Sequence, residues 1–441
     1  MVRVTAAAVA LFTRDLRVRD NPVLTAAHRD ADTVVPLFVL DEAILAGGGC
    51  PPNRAHFLAA ALRELDDELR ELGGRLVIRS GDLAEEVARV AADADAPVVH
   101  IAADFSAFSR RREQRLRDRL GRDGRELRVH SASLTVVEPG DLLPSGRDHF
   151  AVFTPYLRQW TDARRRAPLR APHHLEVPDI PAGSLPEPGE IGAGEPSPEL
   201  SVGGETTGRK ILRDWLSRSA DDYASGGDDL AADSTSRLSP YLHFGCLSPA
   251  EVVRRAGDST EGTAAFVRQL AWRDFHHQVL AARPDAAWAD YRDREIRWRE
   301  DEQAVEAWRE GRTGIPIVDA GMRQLRAQGW MHNRARLSTA SFLTKSLRVD
   351  WRIGARHFRY WLVDADVANN QLNWQWVAGT GNDTRPNRVL NPLRQAERYD
   401  PDGGYVRRWV PELADIEGRA IHRPWRLQVD YPAPILEFPG M

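Results

Sequence analysis

Between positions 363 and 376 the chain reads Val363-Asp364-Ala365-Asp366-Val367-Ala368-Asn369-Asn370-Gln371-Leu372-Asn373-Trp374-Gln375-Trp376. Two acids and three asparagines beside two tryptophans are costly to bury unless each polar group finds a partner. A polar cofactor rich in donors and acceptors meets that demand. A metal meets it less well, because no His or third carboxylate stands near Asp364 and Asp366 in sequence to complete a ligand set. The tryptophans alone are also compatible with plain core packing.

Two further stretches are chemically dense. Gly329-Trp330-Met331-His332-Asn333-Arg334-Ala335-Arg336 sets one amide and two guanidinium groups within a helical turn of each other, next to aromatic surface. His332 taken alone is more often a hydrogen-bonded core histidine than a catalyst. Thr235-Ser236-Arg237-Leu238-Ser239-Pro240-Tyr241-Leu242 packs three hydroxyls and an arginine before a proline turn. Hydroxyls and neighbouring backbone N–H groups suit phosphate oxygens, although such a segment also serves as a helix cap without any ligand.

The elements that must position these groups fall into two kinds. In the first third, short apolar runs at 6–12, 34–39, 76–78, 98–101 and 127–129 alternate with helical spacing at 54–72, 83–92 and 110–120. That alternation predicts an α/β domain with an open, doubly wound parallel sheet, whose ligands sit at the strands' carboxyl ends. No GxGxxG follows the first strand, and the Gly47-Gly48-Gly49 run reads as a loop. From about 167 to 207 the chain is rich in Pro, Gly and Glu with no sustained period, which predicts a long surface connection. Beyond it helical patterns dominate, and all but Trp160 and Trp215 of the thirteen tryptophans fall at or after Trp272. The second domain is expected to be all-α. The boundaries are 1–133, 134–207 for the linker and 208–441.

At 441 residues the chain is long for one core, and 42% hydrophobic with 28% charged residues is ordinary for a globular protein. No apolar run is long enough to span a membrane, and the opening residues lack a secretory pattern. Cys50 and Cys246 are the only cysteines, so neither a disulfide framework nor a cysteine metal site is expected, and a reduced, cytoplasmic setting is. Lysine occurs only at Lys210 and Lys345, a pattern that coding bias explains. The net charge of −4 does not announce a nucleic-acid binder, yet a local basic face can still attract phosphate.

Taken together the chain resembles the cryptochrome/photolyase family. Leu11-Phe12-Thr13-Arg14-Asp15-Leu16-Arg17-Val18-Arg19-Asp20-Asn21-Pro22 is similar to the family's opening signature. The segments 235–242, Trp272-Arg273-Asp274-Phe275, 329–336 and 364–376 resemble its flavin and substrate motifs in order, so the resemblance covers essentially the whole chain. It implies an antenna-binding α/β domain and a helical domain that holds FAD. Within the family the chain looks closest to bacterial class I cyclobutane pyrimidine dimer (CPD) photolyases of the deazaflavin-antenna type.

Carried over to this sequence, the resemblance implies that Tyr223, Thr235, Ser236, Arg237, Leu238, Ser239 and Phe266 hold the FAD. Arg336 pairs with Asp364 beside the flavin ring, Asp366 hydrogen-bonds that ring, Ala365 between them is a further cofactor contact, and Asn370 faces its N5. A neutral amide there tolerates an anionic reduced ring, which a carboxylate would repel. Trp374, Trp351 and Trp298 match the family's electron-transfer chain. Trp272 and Trp376 match the aromatics that clasp a flipped-out dimer, with Gln269, Asn333, Arg334 and Leu337 as further lesion contacts. Arg334, Arg385, Arg388 and Arg394 are expected to form a phosphate-gripping face.

Several positions depart from the family pattern. Gln269 stands in place of Glu, Leu337 in place of Met, Ala365 in place of Gly, and Gly227 where a DNA-contacting Arg is usual. The expected function is light-driven repair of pyrimidine dimers in single- or double-stranded UV-damaged DNA by a monomer. The rival is a signalling cryptochrome without repair, against which Asn370, Trp272, Trp376 and the end of the chain at Met441 count. An ordinary flavin oxidoreductase would need a nicotinamide site that no glycine fingerprint supplies. The antenna held by the N-terminal sheet is a deazaflavin, a folate or a second flavin, and 8-hydroxy-deazaflavin is favoured over folate because the segment 104–110 lacks the Asn and Glu pattern expected for folate. Asp41 and Arg54 are its candidate contacts.

Overall fold

The computed structural model describes residues 5–46 and 50–437, with side chains from position 7 onward; the Gly47-Gly48-Gly49 run lies outside the described residues. Five strands, β1 (Thr5–Phe12), β2 (Ala31–Asp41), β3 (Val77–Gly81), β4 (Val98–Ala102) and β5 (Glu126–His130), form one sheet in the order β3-β2-β1-β4-β5. Every pairing is parallel, with Ala8 opposite Val34 on one side and Val98 on the other. The order reverses beside β1, so the carboxyl ends of β1 and β4 flank the crevice where such sheets bind ligands.

The central strand shows why the sheet is covered on both faces. Ala8, Ala10 and Phe12 pack into one core, with the helices Pro22–Asp30 and Pro52–Glu71. Ala7, Val9 and Leu11 pack into another, with the helices Leu83–Asp93 and Ala107–Arg122. Alternate residues of a strand face opposite sides, and a strand buried on both sides reads as a continuous apolar run. The helix Pro22–Asp30 belongs to no predicted element. It starts where Asn21 Oδ1 accepts from the N–H groups of Val23 and Leu24 at 2.9 and 3.0 Å, with Pro22 in the first turn.

The connection is irregular apart from the helix Phe153–Asp162 and one turn at Pro188–Ile191. It is pinned to the α/β domain by backbone bonds from Leu175 N to Leu72 O (2.7 Å) and from Ile78 N to Ala182 O (2.7 Å). Among the described residues everything after His130 that is regular is helical, and no helix is long and apolar enough to cross a membrane. The first core runs on between the domains, where Phe57 stacks against Phe244 at 4.7 Å and meets Tyr241 at 5.3 Å. A third core fills the carboxyl-terminal helices around Trp308, Trp351 and Trp374.

Candidate active site

A cavity of about 520 Å³ opens in the helical domain. The helix Glu261–Ala282 contributes Phe266, Gln269 and Trp272, and the helix Asn333–Ser341 contributes Asn333, Arg334, Arg336 and Leu337. The helix Val367–Ala378 adds Asn370, Trp374 and Trp376, the short helices Tyr223–Gly226 and Ser239–His243 add Tyr223 and Ser239 at their starts, and the loops add 235–238, Asp364 and Asp366. Ala365 is buried behind the wall rather than on it. Of the three tryptophans of the predicted electron chain, Trp374 lines the cavity, Trp351 is fully buried and Trp298 is half-buried. Trp351 donates its indole N–H to Asp290 Oδ1 at 2.8 Å.

The floor is built from charge pairs and amides. Arg336 Nη2 donates to Asp364 Oδ2 at 2.9 Å, and the other oxygen of Asp364 is buried without a hydrogen-bond partner. The Thr235 hydroxyl is likewise buried and unpartnered at the cavity's other end. Orphaned buried polar atoms are costly, and these two sit where a flavin's ring and its phosphate arm would supply partners. The donor set therefore fits FAD. Arg237 has φ = 51°, a strained conformation for a residue with a Cβ. It is held by paired bonds to Asp233 (2.8 Å each) and by its guanidinium stacking over Trp330 at 4.4 Å.

The orientation of Asn370 follows from a relay of amides. Gln371 Nε2 donates to Ala287 O (2.6 Å), which turns Gln371 Oε1 toward Asn370 Nδ2 (2.8 Å). Asn370 Nδ2 gives its second hydrogen to Ala355 O at 3.1 Å. Both donors are spent inside the protein, so the amide oxygen is the atom offered to a ligand.

Asp366 is more heavily engaged than the sequence implied. Its Oδ1 caps the helix Val367–Ala378 through Asn369 N (2.9 Å) and accepts from Asn369 Nδ2 (2.8 Å). Its Oδ2 accepts from Arg14 Nη2 at 2.6 Å and lies 3.3 Å from His277 Nε2. Burial pushes this carboxyl's pKa up, but His277 and Arg14 outweigh it and hold the group well below the usual range. Arg14 also donates to Asp104 (3.4 Å) and to His243 O (3.2 Å). Burial keeps two histidines neutral: His276 of the wall, which donates to Asn369 Oδ1 at 2.9 Å, and His332, buried behind it, each with a pKa lowered to about 4.

At the mouth, Trp272 stacks on Phe153 with centroids 3.7 Å apart and planes within 10°, so one face of the indole is covered. Arg388 lies over Trp376 at 5.4 Å. Gln269 and Asn333 are exposed. Arg334, expected as a free cation, instead forms a two-pronged pair with Asp228 (2.7 and 2.6 Å) and stacks over Tyr399 at 4.8 Å. Of the antenna contacts, Asp41 ends β2, caps the next turn through Ala43 N (3.1 Å) and lies 3.7 Å from Arg112. Burial lowers the pKa of Arg54, on the helix Pro52–Glu71, to about 10.

Sequence reasoning gave no role to Arg14, Asp228, His276, His277, Phe153 or Trp308, the last of which meets Trp374 edge-on at 6.1 Å. Arg14 lay inside a quoted motif and was passed over. Its partner is 352 positions away, and no local pattern announces such a contact.

Comparison with known proteins places this geometry in context. A family model described as DNA photolyase matches residues 8–176, and one described as the FAD binding domain of DNA photolyase matches 266–440. A deoxyribodipyrimidine photo-lyase of Streptomyces griseus is 58% identical over 438 residues, 98% of this chain and 96% of that protein. Two solved structures superimpose over nearly their whole length. A Synechocystis cryptochrome has a TM-score of 0.91 at 30% identity, with 99% of this chain and 97% of that one covered. An archaeal photolyase from Sulfolobus tokodaii, solved with two FAD molecules, has a TM-score of 0.87 at 34% identity, with 98% and 96% covered.

Proposed function

The chain belongs to the DNA photolyase and cryptochrome family, and from that premise we propose that it is a light-driven repair enzyme that splits cyclobutane pyrimidine dimers in UV-damaged DNA. The observation that carries this reading is one continuous cavity of about 520 Å³, which joins polar partners suited to a flavin at its floor to an aromatic mouth. Reduced FAD, when bound and excited, supplies the electron that opens a cyclobutane ring and takes it back afterwards.

The protein's part is position and electrostatics. Thr235, Ser236 and Ser239 offer hydroxyls to the phosphates. The Arg336–Asp364 pair flanks the ring, and the oxygen of Asn370 accepts from its N5–H. Asp366, whose oxygens also bond Arg14 and Asn369, hydrogen-bonds the ring through its remaining acceptor capacity. Trp272 and Trp376 clasp the extruded dimer, whose unstacking is least costly for a damaged base, while Gln269 hydrogen-bonds a pyrimidine carbonyl. Arg385, Arg388 and Arg394 grip phosphates independently of sequence. Trp374, Trp351 and Trp298 carry electrons inward when the flavin is oxidised.

A second chromophore sits at the carboxyl ends of β1 and β4, near Asp41. An 8-hydroxy-deazaflavin is favoured over folate, and the Sulfolobus structure adds a second FAD as the alternative. The absorption spectrum of the purified protein separates the three. The rival reading, a cryptochrome without repair, is favoured by the high TM-score to the Synechocystis protein. Illumination of chemically pre-reduced protein with dimer-containing DNA decides between them. Recovery of thymine is expected. No recovery, together with no preference for damaged over undamaged DNA, assigns the chain to the cryptochromes.

A further inference from the structure

Behind Trp272 and Trp376 lies a second, smaller cavity of about 160 Å³, lined by Phe153, Thr154, Phe275, Asn382, Asp383 and Thr384 as well as by the two tryptophans. It shares those rings with the main cavity yet is separate from it, and nothing in the repair reading uses it. Its most telling residue is Asn382. This side chain is only 7% exposed, lines the cavity and makes no hydrogen bond to any described residue. Its amide atoms are not among the fully buried ones, so two donors and an acceptor are turned to the water of the cavity, where a ligand can take them up. Beside it, Asp383 uses Oδ1 to accept from Arg385 N at 3.0 Å, while Oδ2 bonds no described residue and is likewise reached by water.

The shape and chemistry select the occupant. A lining of aromatic rings together with an amide and a carboxylate suits one planar, polar-edged ring system. The space equals about five water volumes at ~30 Å³ each, which is room for one base and not for a dimer. Resting on the repair reading above, we propose that this cavity receives the base adjoining the dimer on the damaged strand, and that Asn382 and Asp383 select adenine there. Adenine offers N6–H₂ beside N7, the pattern that an asparagine amide matches with two bonds. The remaining N6 hydrogen points to the carboxylate of Asp383. Thymine offers no amine to that carboxylate, and guanine would set its O6 against it. The shared walls favour the adjoining nucleotide over the base across the duplex, because only the former is one backbone step from a dimer held between Trp272 and Trp376. The exposed Arg385 and Arg388 on the same loop carry the charge to hold the intervening phosphate.

The test measures the affinity of FAD-loaded protein for single-stranded oligonucleotides that carry one thymine dimer, flanked on either side by adenine, thymine or an abasic site. The wild-type chain is expected to bind the adenine-flanked dimer about tenfold more tightly than the abasic one on one side only. In Asn382→Leu, which keeps the volume and removes the amide, that ratio falls to about one. The wild-type flank series needs no variant, so a poorly folding Asn382→Leu does not shelter the proposal. Equal affinities at both flanks overturn it. So does a flank preference that survives in Asn382→Leu, or an effect that appears only when the base opposite the dimer in a duplex is changed. Loss of all discrimination between dimer-containing and intact DNA is a different result, which removes the repair reading and this site with it.

Discussion

Replacing Arg14 by glutamine takes away the one guanidinium that bonds Asp366, the residue that caps the helix carrying Asn370. Arg14 is a quarter exposed and Asp366 7% exposed at the side chain, with 2.6 Å between them. Removing one partner of a buried pair costs about 3–5 kcal/mol because the other charge is stranded. Here Asp366 keeps the 3.3 Å approach of His277 and its two bonds from Asn369, so the lower end, about 3 kcal/mol, is expected. Near-average unfolding entropy over 441 residues turns that into a fall in Tm of only about 3 °C, so the sharper readout is pH.

In the native chain the depressed pKa of Asp366 means a stabilising contribution that is present above the unfolded value and lost only in strong acid. Without Arg14, His277 still holds the folded pKa down but the group is less depressed, so the deficit of Arg14→Gln shrinks as pH falls from 7 through the variant's own pKa toward 4. Urea unfolding and flavin release, each measured at both ends of that range, report this directly. Arg14→Lys restores the charge and most of the loss. A deficit that does not change with pH, or a variant that unfolds and releases flavin as the native chain does, refutes the account.

Trp374→Phe keeps volume at the cavity wall and removes the innermost donor, so photoreduction of oxidised flavin falls more than about tenfold while pre-reduced protein still repairs. Unchanged photoreduction shifts attention to Trp308, at 6.1 Å from Trp374. His332 is neutral when folded, with a pKa lowered to about 4 against an ordinary 6.5, so its share of stability falls as pH drops through that window. The variant His332→Asn, which can still cap its helix, is expected to lose about 2–3 kcal/mol less than the native chain between pH 7 and 4.5, read by urea unfolding. Gln269→Glu adds a proton donor at the mouth and raises the repair yield or leaves it unchanged; a collapse in thymine recovery contradicts the placement of that side chain.

All five strands were legible: the central ones, buried on both faces, are written as unbroken apolar runs, and the edge strands β3 and β5 still carry short apolar stretches at Val77–Ile78 and around Leu127 and Val129. Their ends were less so. Ala31 lies in β2 because it pairs with Thr5 of β1, which is information held in another segment. The helix Pro22–Asp30 had a local signature in Asn21-Pro22 that went unread. The helix Phe153–Asp162 lies in a stretch assigned to the linker by its boundaries, yet it delivers Phe153 to Trp272. The ring of site residues followed from family motifs, and the cavity gathers nearly all of them. Their partners did not follow, since Asp228 is 106 positions from Arg334 and Asp274 is 137 and 138 from the backbone groups it holds in the connection. Hydrogen bonding across such spans depends on the packing of whole domains.

The departures at the mouth are best understood as one connected change. A Cβ built on Gly227 would stand 2.6 Å from Tyr223 O and 2.9 Å from its ring, so an arginine cannot be accommodated there unless the turn moves. The next residue, Asp228, pairs with Arg334, and Tyr399 stacks on the same guanidinium. This corner is therefore neutralised from within, and a phosphate approaching it would meet a cation already satisfied. Across the mouth, Arg385, Arg388 and Arg394 are exposed, and Arg388 lies on Trp376 itself. On the proposed repair reading, exposed cations on that side tie a phosphate grip to the clasping indole, and a chain of net charge −4 still draws a strand to that mouth, since local field rather than net charge attracts the backbone.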